Sequence, residues 1–389
     1  MLLAIENDPR DYAWGRRGAI SALLGRPATD AVEAELWFGA HEGSPSRVVT
    51  PAETGGATDL TAAVETVPEL TGGAGRIPFL LKIITPGSAL SLQAHPTAAQ
   101  AAAGFAREEA AGIPIGAFAR NFKDPYSKPE LIVAIDDGFR ALAGLRPVQD
   151  AVAALHHLAA VDAITDEQAD TMLELAGELD ESLDLGVVIA RLLARGQDAV
   201  DQIAAVSAAV LADPVSFPVQ ADLVEAHPAD PGIVISLLLH QVTLRRGEAL
   251  YLPAGNLHAY LDGVGIELMT ASDNVLRGGL TAKHVDVPEL LAVLDSSPRD
   301  EPRLPAMALP GGGVEYRPDD PDAGFGLAWI DGETTLPLTG PAIALCLDGD
   351  FEVTGERSSA ALTRGGALLA SPDERTLRIS GAGLLVVAR

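Results

Sequence analysis

The chain has 389 residues, 48% of them hydrophobic and 21% charged, and 54 acidic against 27 basic side chains leave a formal net charge of −27. That length holds two or three domains, and the acidity excludes nucleic acids and anionic membranes as partners, since both demand a basic face. The single cysteine, Cys346, excludes an internal disulfide and a cysteine-based zinc site.

The opening MLLAIENDPRDYAWG carries acids within its first ten residues and lacks the apolar stretch of a signal peptide. No apolar run reaches the roughly 20 residues of a membrane helix. The best, GIVISLLLHQV, is interrupted by polar residues. A cytoplasmic, reducing location is expected.

Residues 1–146 are rich in strand-like segments with short turns, and PTAAQAAAGFAREEA is an alanine-rich helical patch. Residues 147–232 change character. DAVAALHHLAAV, TDEQADTMLELAGEL and GVVIARLLARGQDAVDQIAAVSAAVL repeat apolar residues every three or four positions, which predicts amphipathic helices. Thr165, with Gln168 three residues later, marks a helix start. Strand patterning returns from residue 233. In the C-terminal part, LRRGEALYLPAGNLH from Leu244 and LTRGGALLASPDERT from Leu362 align without gaps as a weak repeat. Thr376 falls where the first copy has His258, so residues 300–389 read as a degenerate copy that lost its polar centre. Many short strands between Gly and Pro turns predict a mainly β protein of jelly-roll barrels in two β domains. Residues 1–146 and 233–299 form the catalytic one, 147–232 a helical insertion, and 300–389 the second.

Polar residues out of place point to the site. In SLQAHP, directly after the apolar PFLLKIITPGSAL, Gln93 and His95 stand two residues apart and so face one side of an extended chain. Lys128, Pro129 and Glu130 lead straight into an apolar strand, and His258 follows a Pro-Ala-Gly turn among apolar neighbours. A carboxylate in such a setting needs a partner or a metal. Two imidazoles, a carboxylate and an amide oxygen suit zinc with one position open, although Gln is an unusual ligand. His156 and His157 read as surface, and neither His41 nor His284 is an evident ligand. Asp273, Arg277 and Lys283 surround a Gly-Gly turn, the makings of an anion clamp. Only four of the 27 basic residues are lysines, Lys82, Lys123, Lys128 and Lys283, all close in sequence to these clusters. That marks them as places where an ammonium is needed.

In their order, SLQAHP, KPE, LPAGNLHAYL and SDNVLRGGLTAK resemble the type I mannose-6-phosphate isomerases, and YAWG at Tyr12 and AELWFGAHEGSPS from Ala34 extend the likeness. It covers residues 10–145 and 240–295. The resemblance implies a cupin fold and an aldose–ketose isomerase that interconverts D-mannose 6-phosphate and D-fructose 6-phosphate through a cis-enediol, supplying activated mannose. It implies one zinc ion per chain, held by Gln93, His95, Glu130 and His258, with Arg277 as a catalytic residue. Lys82, Asp273 and Glu267 match further catalytic positions, and Ser91, Lys128, Lys283 and Trp14 match substrate-binding ones. Many relatives carry His directly before Lys-Pro-Glu; here it is Ser127, so no proton-transfer role passes to that position. The base stays open between Lys82, if neighbouring cations lower its pKa, and Glu267, while Asp273 with His95 would assist ring opening. The expected partner is a small sugar phosphate, and a monomer is expected. The alternative is a non-catalytic sugar-phosphate-binding cupin sensor, which would not need Arg277, Asp273 and Lys283 together. A cupin oxygenase or epimerase is a third reading, weakened by Gln93 standing where redox cupins commonly have His.

Overall fold

The computed structural model describes residues 1–389. Three large sheets and a run of helices stack in layers, and the middle sheet decides where the chemistry goes. Its strands Arg303–Leu304, Ala249–Leu252, Glu130–Ala134, Gly265–Thr270, Phe79–Ile84 and Glu35–Phe38 lie side by side in that order. Side chains alternate between the two faces of a strand, and here both faces are covered. Leu36, Phe38, Phe79, Leu81, Ile83, Leu131, Val133, Ile266 and Leu268 point outward into a core shared with Leu3, Ile343, Leu345 and Val386 of the C-terminal sheet.

The opposite face of the same strands is divided. Ile84, Ile132, Ala134, Leu250 and Leu252 meet Phe139, Ala141, Ala143, Val242, Leu244 and Tyr260 of a five-stranded sheet in an apolar core. The rest of that face carries Glu35, Trp37, Lys82, Glu130 and Glu267, all buried. The five-stranded sheet runs Leu239–Leu244, Phe139–Leu145, His258–Asp262, Gln93–Ala94, Leu276–Arg277. Its far face, through Leu92, Leu142, Leu257, Ala259 and Leu276, packs on the helices.

Those helices, Val148–Ala159, Asp166–Glu181, Leu185–Ala194, Gln197–Ala212, Pro218–Ala226 and Gly232–Ile235, all lie between two strands that pair with each other, Phe139–Leu145 and Leu239–Leu244. Thr165 caps the second of them, with its side chain accepting from Gln168 N–H and Gln168 reaching back in a capping box. The third sheet holds Ala342–Thr354 and Thr376–Ala388, and its edge is extended by the first strand of the chain, where Leu2–Ile5 pairs with Ala367–Ala370. Each copy of the weak repeat forms a turn with a left-handed glycine, Gly247 or Gly365, followed by a four-residue strand, Ala249–Leu252 or Ala367–Ala370. No helix is long and apolar enough to cross a membrane.

Candidate metal centre and active site

Strand register assembles the site. His258 lies directly opposite Gln93, and Gln93 in turn opposite Arg277. In the facing sheet Lys82 sits between Glu267 on one neighbouring strand and Trp37 on the other. Directly opposed residues bring their Cβ atoms to within about 5.5 Å. Pairings between strands far apart in sequence thus bring the polar groups into one space between two sheets. Gln93, Glu130, Lys82, Lys128, Glu267, Asp273, Arg277, Ser91, Lys283 and Trp14 all line one cavity of about 610 Å³.

His95, Glu130 and His258 are buried, and each offers a ligand atom within 4.8 Å of the others. His95 Nδ1 meets the carbonyl oxygen of Asn274 at 2.7 Å, and His258 Nδ1 meets that of Asn256 at 3.0 Å. A carbonyl only accepts, so each Nδ1 carries the proton and each Nε2 presents a lone pair. These two lone pairs face the Glu130 carboxylate, with His95 Nε2 at 3.1 Å from Oε1 and His258 Nε2 at 3.4 Å from Oε2. Despite these distances neither Nε2 has an aligned hydrogen-bond partner. Burial and the Lys128 ammonium push the His95 pKa down to about 4, so its ring stays neutral. Although burial opposes it, the Lys128 ammonium, with Nζ 2.7 Å from Oε1, holds the Glu130 carboxyl well below the usual range. Two imidazole Nε2 atoms and a carboxylate, paired on one oxygen with Lys128, converge here with no hydrogen bond joining them, and a cation among them would satisfy all three. The donor set fits a divalent metal.

Around this centre lies a second charged group. Lys82 Nζ is 3.0 Å from Glu267 Oε2 and 3.9 Å from Glu35 Oε1, and it sits over the Trp37 ring at 4.9 Å. Burial opposes its charge, but Glu267, Glu35 and Glu130 outweigh burial and raise its pKa above the ordinary lysine value. This corrects the sequence-based expectation that neighbouring cations lower it: the neighbours are carboxylates. Glu267 moves the other way from a normal ion-pair acid. Burial, with Glu130 and Glu35 nearby, raises its pKa despite Lys82. The Tyr260 hydroxyl donates to Glu130 Oε2 at 3.3 Å, and burial between the carboxylates keeps it protonated.

The third group is cationic. Neither Arg277 nor Lys283 lies within 4.0 Å of a carboxylate, in a chain of net charge −27. Arg277 Nε is buried without a hydrogen-bond partner, and burial lowers the pKa of both side chains. Partly buried cations left unpaired are poised for an anion. Asp273 pairs with His41 Nε2 at 3.2 Å, and although burial works against it, that contact holds its carboxyl below the usual range.

The lysines divide: Lys82, Lys128 and Lys283 line the cavity, whereas Lys123 Nζ donates to the Ile115 carbonyl at 2.6 Å. His156 and His157 lie exposed on their helix, and His284 faces Asp286 at 3.9 Å. Sequence reasoning did not single out Glu35, Trp37, Tyr260 or His227, and it weighed His41 only as a ligand, not as the partner of Asp273. A glutamate inside the apolar ELWF was a legible signal for Glu35. His227 lines the cavity from the helical stretch, and nothing local in sequence marks it.

The family model for phosphomannose isomerase type I, catalytic domain, matches residues 2–148. Mannose-6-phosphate isomerase of Salmonella typhimurium is 34% identical over 391 residues, covering 97% of this chain and 97% of that enzyme. This chain belongs to the type I phosphomannose isomerases. The family likeness extends to mammals, with the Rattus norvegicus mannose-6-phosphate isomerase 28% identical over 95% of this chain and 93% of its own length. A zinc-bound mannose 6-phosphate isomerase crystal structure superposes with a TM-score of 0.84 at 32% identity, over 100% of this chain and 98% of that one. A point mutant of the Salmonella typhimurium phosphomannose isomerase gives 0.85 at 32% identity, with the same coverage. The isomerase likeness therefore runs through the helices and the C-terminal sheet as well as the motif-bearing strands.

Proposed function

We propose that this chain is a zinc-dependent mannose-6-phosphate isomerase of cupin fold, converting D-mannose 6-phosphate to D-fructose 6-phosphate through a cis-enediol. In this reading residues 1–146 and 233–299 form the catalytic β domain, 147–232 the helical insertion and 300–389 a degenerate second β domain. The observation that carries it is the pair of imidazole Nε2 atoms, without hydrogen-bond partners, aimed at one buried carboxylate beside a cavity with two unpaired cations. His95, Glu130 and His258, with Gln93 from the adjacent strand, would hold the zinc ion. Bound there, zinc would supply Lewis acidity to the reacting end of the sugar.

The remaining work falls to the protein's side chains. Glu267 is the proposed base. Its raised pKa gives a carboxylate more basic than usual, buried and lining the cavity. It takes the proton from C2 and returns it to C1, while the hydroxyl proton of O2 passes to O1, so the aldehyde becomes an alcohol and C2 a ketone. Lys82 stays charged and compensates Glu267, so it serves as the base's counter-ion rather than as the base. Arg277 stabilises negative charge that develops on the enediol oxygens. Lys283 and Lys128 gather the phosphate, with Ser91 as a neutral donor and Trp14 as a wall. Asp273, oriented by His41, assists ring opening.

A coupled assay for fructose 6-phosphate formation, before and after chelation and zinc restoration, tests the reading. A chain that binds the sugar phosphate but never isomerises it supports the sensor alternative.

Asn274 yields a specific expectation. Its buried side chain donates to the Asp124 and Tyr126 carbonyls, both at 2.8 Å, and accepts from Lys123 N–H at 2.7 Å, while its own carbonyl takes the His95 Nδ1 proton. Asn274→Ala frees that carbonyl to move, and zinc affinity falls about 10–100-fold, as for other losses of a ligand's hydrogen-bond support. Competition with a chromophoric chelator measures it, and an unchanged dissociation constant would show that the Asn274 side chain does not orient His95.

A further inference from the structure

Arg277 and Lys283 stand on one loop, and the loop is held from two sides. Toward the metal centre, Gly278 N–H donates to the Leu92 carbonyl at 2.8 Å and Leu92 N–H to the Gly279 carbonyl at 3.1 Å. Away from it the loop meets the helical stretch, at Asp230. That side chain is 7% exposed and lies outside the cavity lining. Its Oδ1 accepts from both Gly232 N–H and Leu280 N–H at 2.8 Å, and its Oδ2 accepts from Arg195 at 3.2 Å.

The backbone between the two cations is strained where Asp230 grips it. Leu280 has φ +53, a left-handed conformation unfavourable for a residue with a side chain that persists only when its surroundings over-determine it. Leu280 is nonetheless buried in the core between helices and sheet. A Cβ on Gly232 would come within 2.7 Å of Leu280 Cγ and Cδ2, so a glycine there makes room for the leucine. A Cβ on Gly279 would come within 2.9 Å of Asp230 Oδ1. The helical stretch therefore presents a carboxylate and a glycine notch shaped to one conformation of this loop.

We propose that Asp230 is a positioning residue: through Leu280 it fixes the loop that leads to Lys283, and with it the place where Lys283 receives the substrate phosphate, while Arg277 is held separately by its strand pairing with Gln93. This gives the helical insertion a part in substrate recognition. It rests on the reading of Lys283 as a phosphate-binding residue.

The test is steady-state kinetics on the zinc-loaded full chain, with inorganic phosphate as a competing probe. In Asp230→Ala, KM for mannose 6-phosphate and the phosphate inhibition constant both rise about tenfold, the scale expected when a binding group shifts by a fraction of an ångström. The kcat changes less, and zinc affinity is unchanged. Asp230→Asn keeps the Oδ1 acceptor for both N–H groups and stays within about twofold of the parent. A purely structural role lowers the melting temperature and leaves both constants alone. If Asp230→Ala does not fold, Gly279→Ala, which crowds Asp230 Oδ1 and the Gly232 backbone and strains its own φ of +121, raises the same two constants. Parent-like constants in both Asp230→Ala and Gly279→Ala overturn the proposal, and so does an Asp230→Asn variant as impaired as the alanine. Lys283→Ala separates the two readings. If its phosphate inhibition is unchanged, the clamp itself is wrong. If it responds while Asp230→Ala and Gly279→Ala do not, only the role of Asp230 is lost.

Discussion

Arg277→Ala is expected to retain stoichiometric zinc and lose two to three orders of magnitude in kcat. The guanidinium is partly buried, its Nε has no hydrogen-bond partner, and no carboxylate neutralises it. Keeping such a cation unpaired opposes folding, so its use lies in what enters the cavity. A preorganised donor aimed at developing oxyanion charge contributes about 3–4 kcal/mol to the barrier, or 10²–10³ in kcat. The side chain touches neither histidine nor Glu130 in any hydrogen bond or ion pair, so metal content stays intact. Stopped or steady-state assays with elemental analysis of the same sample separate the two effects. An unaltered turnover number removes Arg277 from the mechanism.

His258→Ala is expected to abolish tight zinc binding and, with it, isomerisation. The ring is buried, its tautomer is set by the Asn256 carbonyl, and its Nε2 faces Glu130 at 3.4 Å. Loss of an outer hydrogen-bond partner of a ligand already weakens affinity 10–100-fold, and loss of the ligand itself exceeds about a hundredfold. The stability readout is independent of activity. At a zinc concentration a hundred times the dissociation constant, the parent gains about 2.7 kcal/mol, seen as a rise in melting temperature that the variant does not show. The apo forms differ by the cavity the ring leaves and by the lost Nδ1 hydrogen bond to the Asn256 carbonyl. Stoichiometric zinc in purified His258→Ala refutes the ligand assignment.

Much of the candidate site was legible because its residues break local rules. Gln93, His95, Glu130 and His258 are polar groups set in apolar strands, and a sequence shows such violations directly. The helical stretch was equally plain, since its 3.6-residue period and the Thr165–Gln168 cap are local properties of the chain. Less visible was the state of each group. Lys82 could be the base only if other cations lowered its pKa, and the sequence left that open against Glu267; strand pairing set it against Glu267 and near Glu35. The environment of a titratable group is made by strands distant in the chain, and local patterning does not carry it.

By its own order of residues this protein determines its classes of element, its acidic character and the polar side chains that form the centre. Tertiary structure alone decided which of them share a space. Register put Gln93 between His258 and Arg277, packing left Arg277 and Lys283 without counter-ions, and the fold brought Asp230 from the helices against Leu280. The reason is physical: side-chain periodicity acts over a few residues, whereas ionisation, orphaned lone pairs and loop strain depend on groups that meet only when sheets and helices close on one another.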